Sequence, residues 1–129
     1  MALPRFVLGL LAVSFAVIGT VFTVAPVTCA AFLDIHLTTP TARTDFRATY
    51  GGLDWGLAVF LAACLRDMRS VRAGLLAAAS ALAGAGVTRS AALCLDGPAA
   101  PLLYVLLASE TLGAGIAFVA WCLALRAGN

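Results

Sequence analysis

Four long apolar stretches, separated by polar links, organise this chain. The first runs from about Phe6 to Val24 and carries no charge, and the second runs from about Phe46 to Leu65. The third runs from about Val71 to Leu95, and the fourth from about Pro101 to Leu125. A helix needs about 20 apolar residues to cross about 30 Å of hydrocarbon, and each stretch is of that order. All four are too long for strands, and none shows the period-two alternation of a membrane β-barrel. A backbone in lipid must satisfy its own hydrogen bonds, which leaves helices. The pattern predicts an all-α fold, a transmembrane four-helix bundle forming one integral membrane domain over residues 1–129.

The links refine the topology. Arg66-Asp67-Met68-Arg69-Ser70 joins the second and third spans, and Asp96-Gly97-Pro98 forms a turn between the third and fourth. Links this short make successive helices antiparallel. The first link, Ala25 to Thr44, is longer. Within it Val27 to Leu37 mixes Phe32, Leu33 and Ile35 with Asp34 and His36, which predicts a short interfacial helix after the first span. Thr38-Thr39-Pro40-Thr41 is expected to break that helix.

Composition agrees with the pattern. The chain is 63% hydrophobic and 11% charged, with a formal net charge of +2. A soluble domain of this size needs far more polar surface, at about 25% charged residues. A soluble enzyme, a nucleic-acid binder and a disordered protein are therefore excluded together. Every basic residue other than His36 is an arginine, and their placement sets an expected orientation. Arg5, Arg66, Arg69, Arg72 and Arg126 fall on one side, and Arg43 and Arg47 on the other, with Arg89 embedded below them. The expectation is a protein of the bacterial inner membrane with both termini cytoplasmic. The first apolar run exceeds the 7–15 residues of a signal peptide core, so it is read as an uncleaved span.

Cysteine spacing points to no redox or metal chemistry. There is no C-x-x-C pair, and Cys29, Cys64, Cys94 and Cys122 are expected to be small buried residues. A disulfide between Cys29 and Cys94 near the outer face is the alternative. No metal-ligand spacing and no cofactor motif occurs, and His36 stands alone in a polar link. Small residues are abundant: Gly52 and Gly56 form a G-x-x-x-G, while Ala77, Ala78, Ala79, Ala81, Gly84, Ala85 and Gly86 line the third span. Gly113, Ala114, Gly115 and Ala117 occupy the fourth. Such residues let helix backbones approach closely, either within one bundle or across a homodimer seam.

The candidate chemistry lies in charges that cannot reach water. Arg47, Tyr50 and Asp54 are spaced by three and then four residues, so in a regular helix they share one face. At 1.5 Å per residue, Asp54 lies about 12 Å below Phe46, Glu110 about 13 Å below Pro101, and Arg89 about 9 Å below Leu95. The carboxylates thus share a depth near the bilayer midplane. A charge there costs about 2.5–3.5 kcal/mol on insertion scales, so facing lipid is disfavoured. Arg47, Tyr50, Asp54, Arg89 and Glu110 are therefore expected to form a polar cluster that opens outward, with Arg89 paired to Glu110. Its catalytic residues, if it has any, are unknown.

Asp45-Phe46-Arg47-Ala48-Thr49-Tyr50-Gly51-Gly52-Leu53 resembles the acid-x-Arg-Ala-x-Tyr-Gly-Gly-Leu signature of domain-of-unknown-function family 4345. That family comprises small bacterial integral membrane proteins with four predicted spans. Arg89, the Asp96-Gly97 turn and Glu110 are similar to further family positions, and the resemblance covers nearly the whole chain. Asp45 stands where the signature has Glu, and Asp54 lies outside it. The resemblance supports the bundle and implies no established activity. The favoured reading is a protein that binds a lipophilic or amphiphilic ligand at the Arg and acid cluster. One alternative is an accessory or assembly subunit that docks a membrane-protein partner. The other is a membrane isomerase using Glu110 or Asp54.

Overall fold

The computed structural model describes residues 2–126, all of its regular structure being helical. Helix α1 spans Ala2–Val24 and α2 spans Pro26–Ala31. Helix α3 runs over Pro40–Arg66, α4 over Met68–Asp96 and α5 over Pro101–Arg126. All but α2 are long and apolar enough to cross a membrane. The four-span, all-α bundle expected from the apolar pattern is present.

Local chemistry fixes the ends of these helices. Thr39 caps α3 by accepting a hydrogen bond from the Ala42 amide at 3.1 Å. Pro40 follows at the first helical position, where its missing N–H costs nothing. The second long helix therefore begins at Pro40, earlier than the Phe46 expected from the apolar pattern. The interfacial helix is correspondingly shorter than Val27 to Leu37. It ends at Ala31 because Asp34 adopts a left-handed φ of 57°. The Ile35 amide then donates to the Ala30 carbonyl at 2.9 Å and the Asp34 amide to Ala31 at 3.1 Å, which closes the helix. Asp67 caps α4 through the Ser70 amide at 2.9 Å and hydroxyl at 2.8 Å. Gly97 ends α4 with φ 91°, a conformation open to glycine at low cost.

The helices pack as two pairs, α1 along α3 and α4 along α5, with α1 also touching α4 and α5. Buried side chains concentrate in the half of the bundle at the arginine-rich end. There Leu8, Leu61, Val71 and Leu75 are fully enclosed, with Ala58, Ala78, Ala117, Ala120 and Ala124 among them. Beyond Ala79 the buried residue of α4 is Gly86, and before Ala117 that of α5 is Glu110. The opposite half is therefore more open.

A close approach between α1 and α3 does not use the G-x-x-x-G pair. A Cβ on Gly56 would meet nothing within 4 Å, and one on Gly52 only the Arg47 carbonyl at 3.9 Å. A Cβ on Gly51 would collide with the Thr23 hydroxyl and lie 3.2 Å from the Gly19 carbonyl, and one on Gly19 would lie 2.9 Å from the Gly51 carbonyl. Gly19 and Gly51 are the small pair that lets these backbones meet. All four cysteines are free thiols, with Cys64 buried, Cys29 and Cys122 half-buried and Cys94 exposed. The expectation of four buried cysteines holds for Cys64 alone; Cys94, near the end of α4, lies in the half of the bundle that does not enclose it.

Candidate functional site

Glu110 is the buried charged residue of the interior, at 9% exposure. Arg89 reaches it from α4, its Nε donating to Oε1 at 3.0 Å and to Oε2 at 2.9 Å. The pair is the one ion pair among the described residues. Gly86 makes it possible. It lies one helical turn before Arg89, and a Cβ there would be 3.8 Å from Glu110 Cβ and 3.5 Å from the Thr111 hydroxyl. The small residue brings α4 and α5 together where the two charges must meet. The remaining guanidinium borders a depression of about 420 Å³ lined by Gly84, Ala85, Thr88, Ala92 and Leu103.

Asp54 is on the inward stripe of α3, one turn from buried Ala58 and two from buried Leu61. It lies within electrostatic range of Glu110. Among the described residues no hydrogen-bond donor reaches its carboxylate, and it is half-buried rather than enclosed. Asp54 and Glu110 therefore neighbour each other at the open end of the packed core, with Arg89 bound to Glu110.

Arg47 and Tyr50 do not join them. Residues Arg47–Gly52 form a π-helical turn, which takes up one residue more than an α turn. One extra residue rotates everything before it by roughly 100° relative to everything after it. The regular spacing that placed Arg47, Tyr50 and Asp54 on one face is broken between the second and the third. Arg47 turns to α1, where its Nε donates to the Thr23 carbonyl at 3.0 Å. Thr23 is in the last turn of α1, so the guanidinium satisfies a free carbonyl at the negative end of that helix. Tyr50 stacks on Phe46 at 4.5 Å and on Phe22 at 5.6 Å. Such aromatic pairs contribute about 0.5–1.5 kcal/mol each beyond the area they bury.

Sequence reasoning missed Thr23, Phe22 and Gly19, the α1 side of this contact. A single glycine and a threonine in an apolar run carry no periodic signal. The adjacent glycines Gly51-Gly52 are the available hint of the π turn, since they lower helix propensity at that point. The site itself is a carboxylate–guanidinium pair beside a second, unpaired carboxylate. It can accept hydrogen bonds at Asp54 and donate them from the outer edge of Arg89.

No curated protein and no solved structure matches the chain. The profile of a family described as domain of unknown function (DUF4345) matches residues 3–121. A match over nearly the whole length, with Arg89 and Glu110 both inside it, shows that the chain belongs to the DUF4345 family.

Proposed function

We propose that the protein binds a lipophilic or amphiphilic ligand whose polar end is received by Asp54, Arg89 and Glu110. The observation that carries the reading is Asp54. It is an inward-facing carboxylate with no hydrogen-bond partner among the described residues, near an ion pair in which Arg89 meets Glu110 through its Nε. A carboxylate placed near the midplane of a membrane for packing alone would be expected to find a partner. A half-buried acid at the open end of the core is instead available to a ligand. Apolar helix surfaces around it suit the rest of an amphiphile, and pockets between bundle helices are common ligand sites.

The reading carries a location. Five of the arginines lie at one end of the bundle, which supports a chain in the inner membrane of a bacterial cell with that end and both termini in the cytoplasm. The polar trio then faces the outer half of the membrane.

The test compares wild type with Asp54→Asn, purified in the same mild detergent. Extraction and mass spectrometry identify the bound lipophilic molecules, and thermal melting reports the fold. The expected outcome is loss of a bound species from Asp54→Asn with the melting temperature retained. Identical bound species with a lower melting temperature would make Asp54 a packing residue and end the proposal.

A further inference from the structure

The depression beside Arg89 is part of the bundle interior. An α-helix returns to nearly the same face every seven residues. Ala85 and Ala92 continue the face of α4 that buries Val71 and Ala78 in the core, and both line the depression. Leu103 closes it from α5, seven residues before Glu110 and so on the same face of that helix. The depression of about 420 Å³ thus begins where the packed core ends. Between Gly84 and Ala92 it covers roughly 12 Å of helix. Ala92 and Leu103 also wall a second depression, of about 210 Å³, which reaches the Asp96-Gly97-Pro98 turn. Together the two form a track from the open end of the bundle to Arg89.

Arg89 brings more donors to this space than Glu110 uses. A guanidinium carries five N–H groups and no acceptor. Its Nε makes both contacts with Glu110, at 3.0 and 2.9 Å, and its two Nη groups have no hydrogen-bond partner among the described residues. Thr88, also in the wall, is exposed and has a donor to spare. The hydroxyls of Ser90 and Thr111 donate to carbonyls of the preceding turn at 2.8 Å, whereas that of Thr88 has no partner among the described residues. A donor left unmet between apolar walls costs about 1–3 kcal/mol, which favours an occupant that brings an acceptor. The charge of the occupant is limited too. Glu110 already matches the charge of Arg89, and Asp54 neighbours Glu110, so an anion would be a further negative charge beside two acids and one arginine. A cation would meet a guanidinium that has no acceptor to offer.

We infer that the depression receives a neutral carbonyl oxygen carried on an apolar chain. The Nη groups of Arg89 and the hydroxyl of Thr88 hold the oxygen, and the chain lies along Gly84, Ala85 and Leu103. A carbonyl has two lone pairs, enough for both residues. Its source is either the acyl ester of a bilayer lipid or a free lipophilic ketone, and the group recognised is the same. The inference rests on the reading of Asp54, Arg89 and Glu110 as a ligand site and names the group that Arg89 receives; Asp54 takes no part in holding it.

The experiment is infrared spectroscopy of the full chain in nanodiscs of ether-linked dialkyl phosphatidylcholine, a lipid with no carbonyl of its own. Two probes are added separately, dioleoylphosphatidylcholine and methyl undecyl ketone. Each is used with natural and with heavy carbon at its carbonyl, so that the difference spectrum isolates the probe. Wild type is expected to lower the carbonyl stretch of one or both relative to empty nanodiscs. A shift of the ester assigns the site to bilayer lipid, and a shift of the ketone alone assigns it to a free lipophile. Gly84→Leu, whose side chain enters open space, is expected to abolish the shifted band. Thr88→Val is expected to weaken binding about tenfold, equivalent to about 1.4 kcal/mol for one hydrogen bond. Thr88 is exposed, so this variant decides the question even if Gly84→Leu fails to fold. Asp54→Asn is expected to keep the band, so the role of Asp54 can fail while this inference stands. No shifted band with either probe would overturn the inference, as would a band unchanged in Thr88→Val. Displacement of a bound probe by palmitate would overturn it in favour of an anion site.

Discussion

Replacing Arg89 by leucine leaves Glu110 buried at 9% exposure with both of its hydrogen bonds gone. Removing one partner of a buried ion pair costs about 3–5 kcal/mol. The Arg89 side chain is 25% exposed and that of Glu110 12%, so the environment is not fully dry and about 3 kcal/mol is the reasonable figure. The reverse change, Glu110→Leu, should cost less, about 1.5–2 kcal/mol, because a long arginine can move its charge toward the interface. The double change strands neither charge and leaves two apolar side chains between α4 and α5. It should cost less than Arg89→Leu alone. Equilibrium unfolding in mixed micelles, with helicity followed by circular dichroism, gives the four stabilities of this cycle. A strictly additive cycle, or Arg89→Leu as stable as wild type, would refute the claim that the pair holds α4 to α5.

Two further outcomes follow from close geometry. Gly51→Ala should destabilise the bundle by about 1–3 kcal/mol, since the added methyl collides with the Thr23 hydroxyl and must push the α1 and α3 backbones away from each other. Gly56→Ala should be neutral or slightly stabilising, since its space is open, and equal effects of the two changes in the same unfolding assay would contradict the assignment of Gly51 as the contact residue. Asp67 gives a pH dependence. Hydrogen bonds from the Ser70 amide and hydroxyl hold its carboxyl below the usual range. A folded value below the unfolded one means stabilisation that is present above the ordinary carboxylate value and lost as pH falls through the lowered one. Wild type should therefore lose stability relative to Asp67→Asn on acidification below about pH 4. Parallel stability profiles of the two would rule the effect out.

The spans were legible because lipid leaves the backbone few options. Twenty apolar residues in a row identify a helix without regard to their order, and Arg89 and Glu110 could be paired from their depth and from the small residues beside Arg89. The boundaries of the first link were less legible. Pro40 signals either a break or a helix start, and the residue that decides is Thr39, whose side chain caps the following turn. The grouping of Arg47, Tyr50 and Asp54 rested on a regular 3.6-residue period. A π turn leaves composition and hydropathy unchanged, so only backbone geometry reveals it. The identity of the contact glycine was hidden for the same reason. Gly51 and Gly52 are adjacent in sequence, and the local winding decides which of them faces α1.

That winding also changes the electrostatics of the interior. With Arg47 among them, two arginines and two acids would balance and need nothing else. In the structure Arg47 serves the end of α1, as Arg72 serves the end of α5 by donating to the Ala124 carbonyl at 3.0 Å. Both guanidinium groups offset the negative end of a helix in place of a carboxylate. Arg89 is then the one cation that pairs with either acid among the described residues, and its Nε is committed to Glu110. One acid more than the arginines can neutralise is left at the open end of the core. An ionised Asp54 would require a cationic or hydrogen-bond-donating group from outside the chain, and a neutral one would still offer a donor and an acceptor. In either state it is the residue whose chemistry the fold leaves unfinished, which is why Asp54→Asn is the variant that separates a binding site from a packing device.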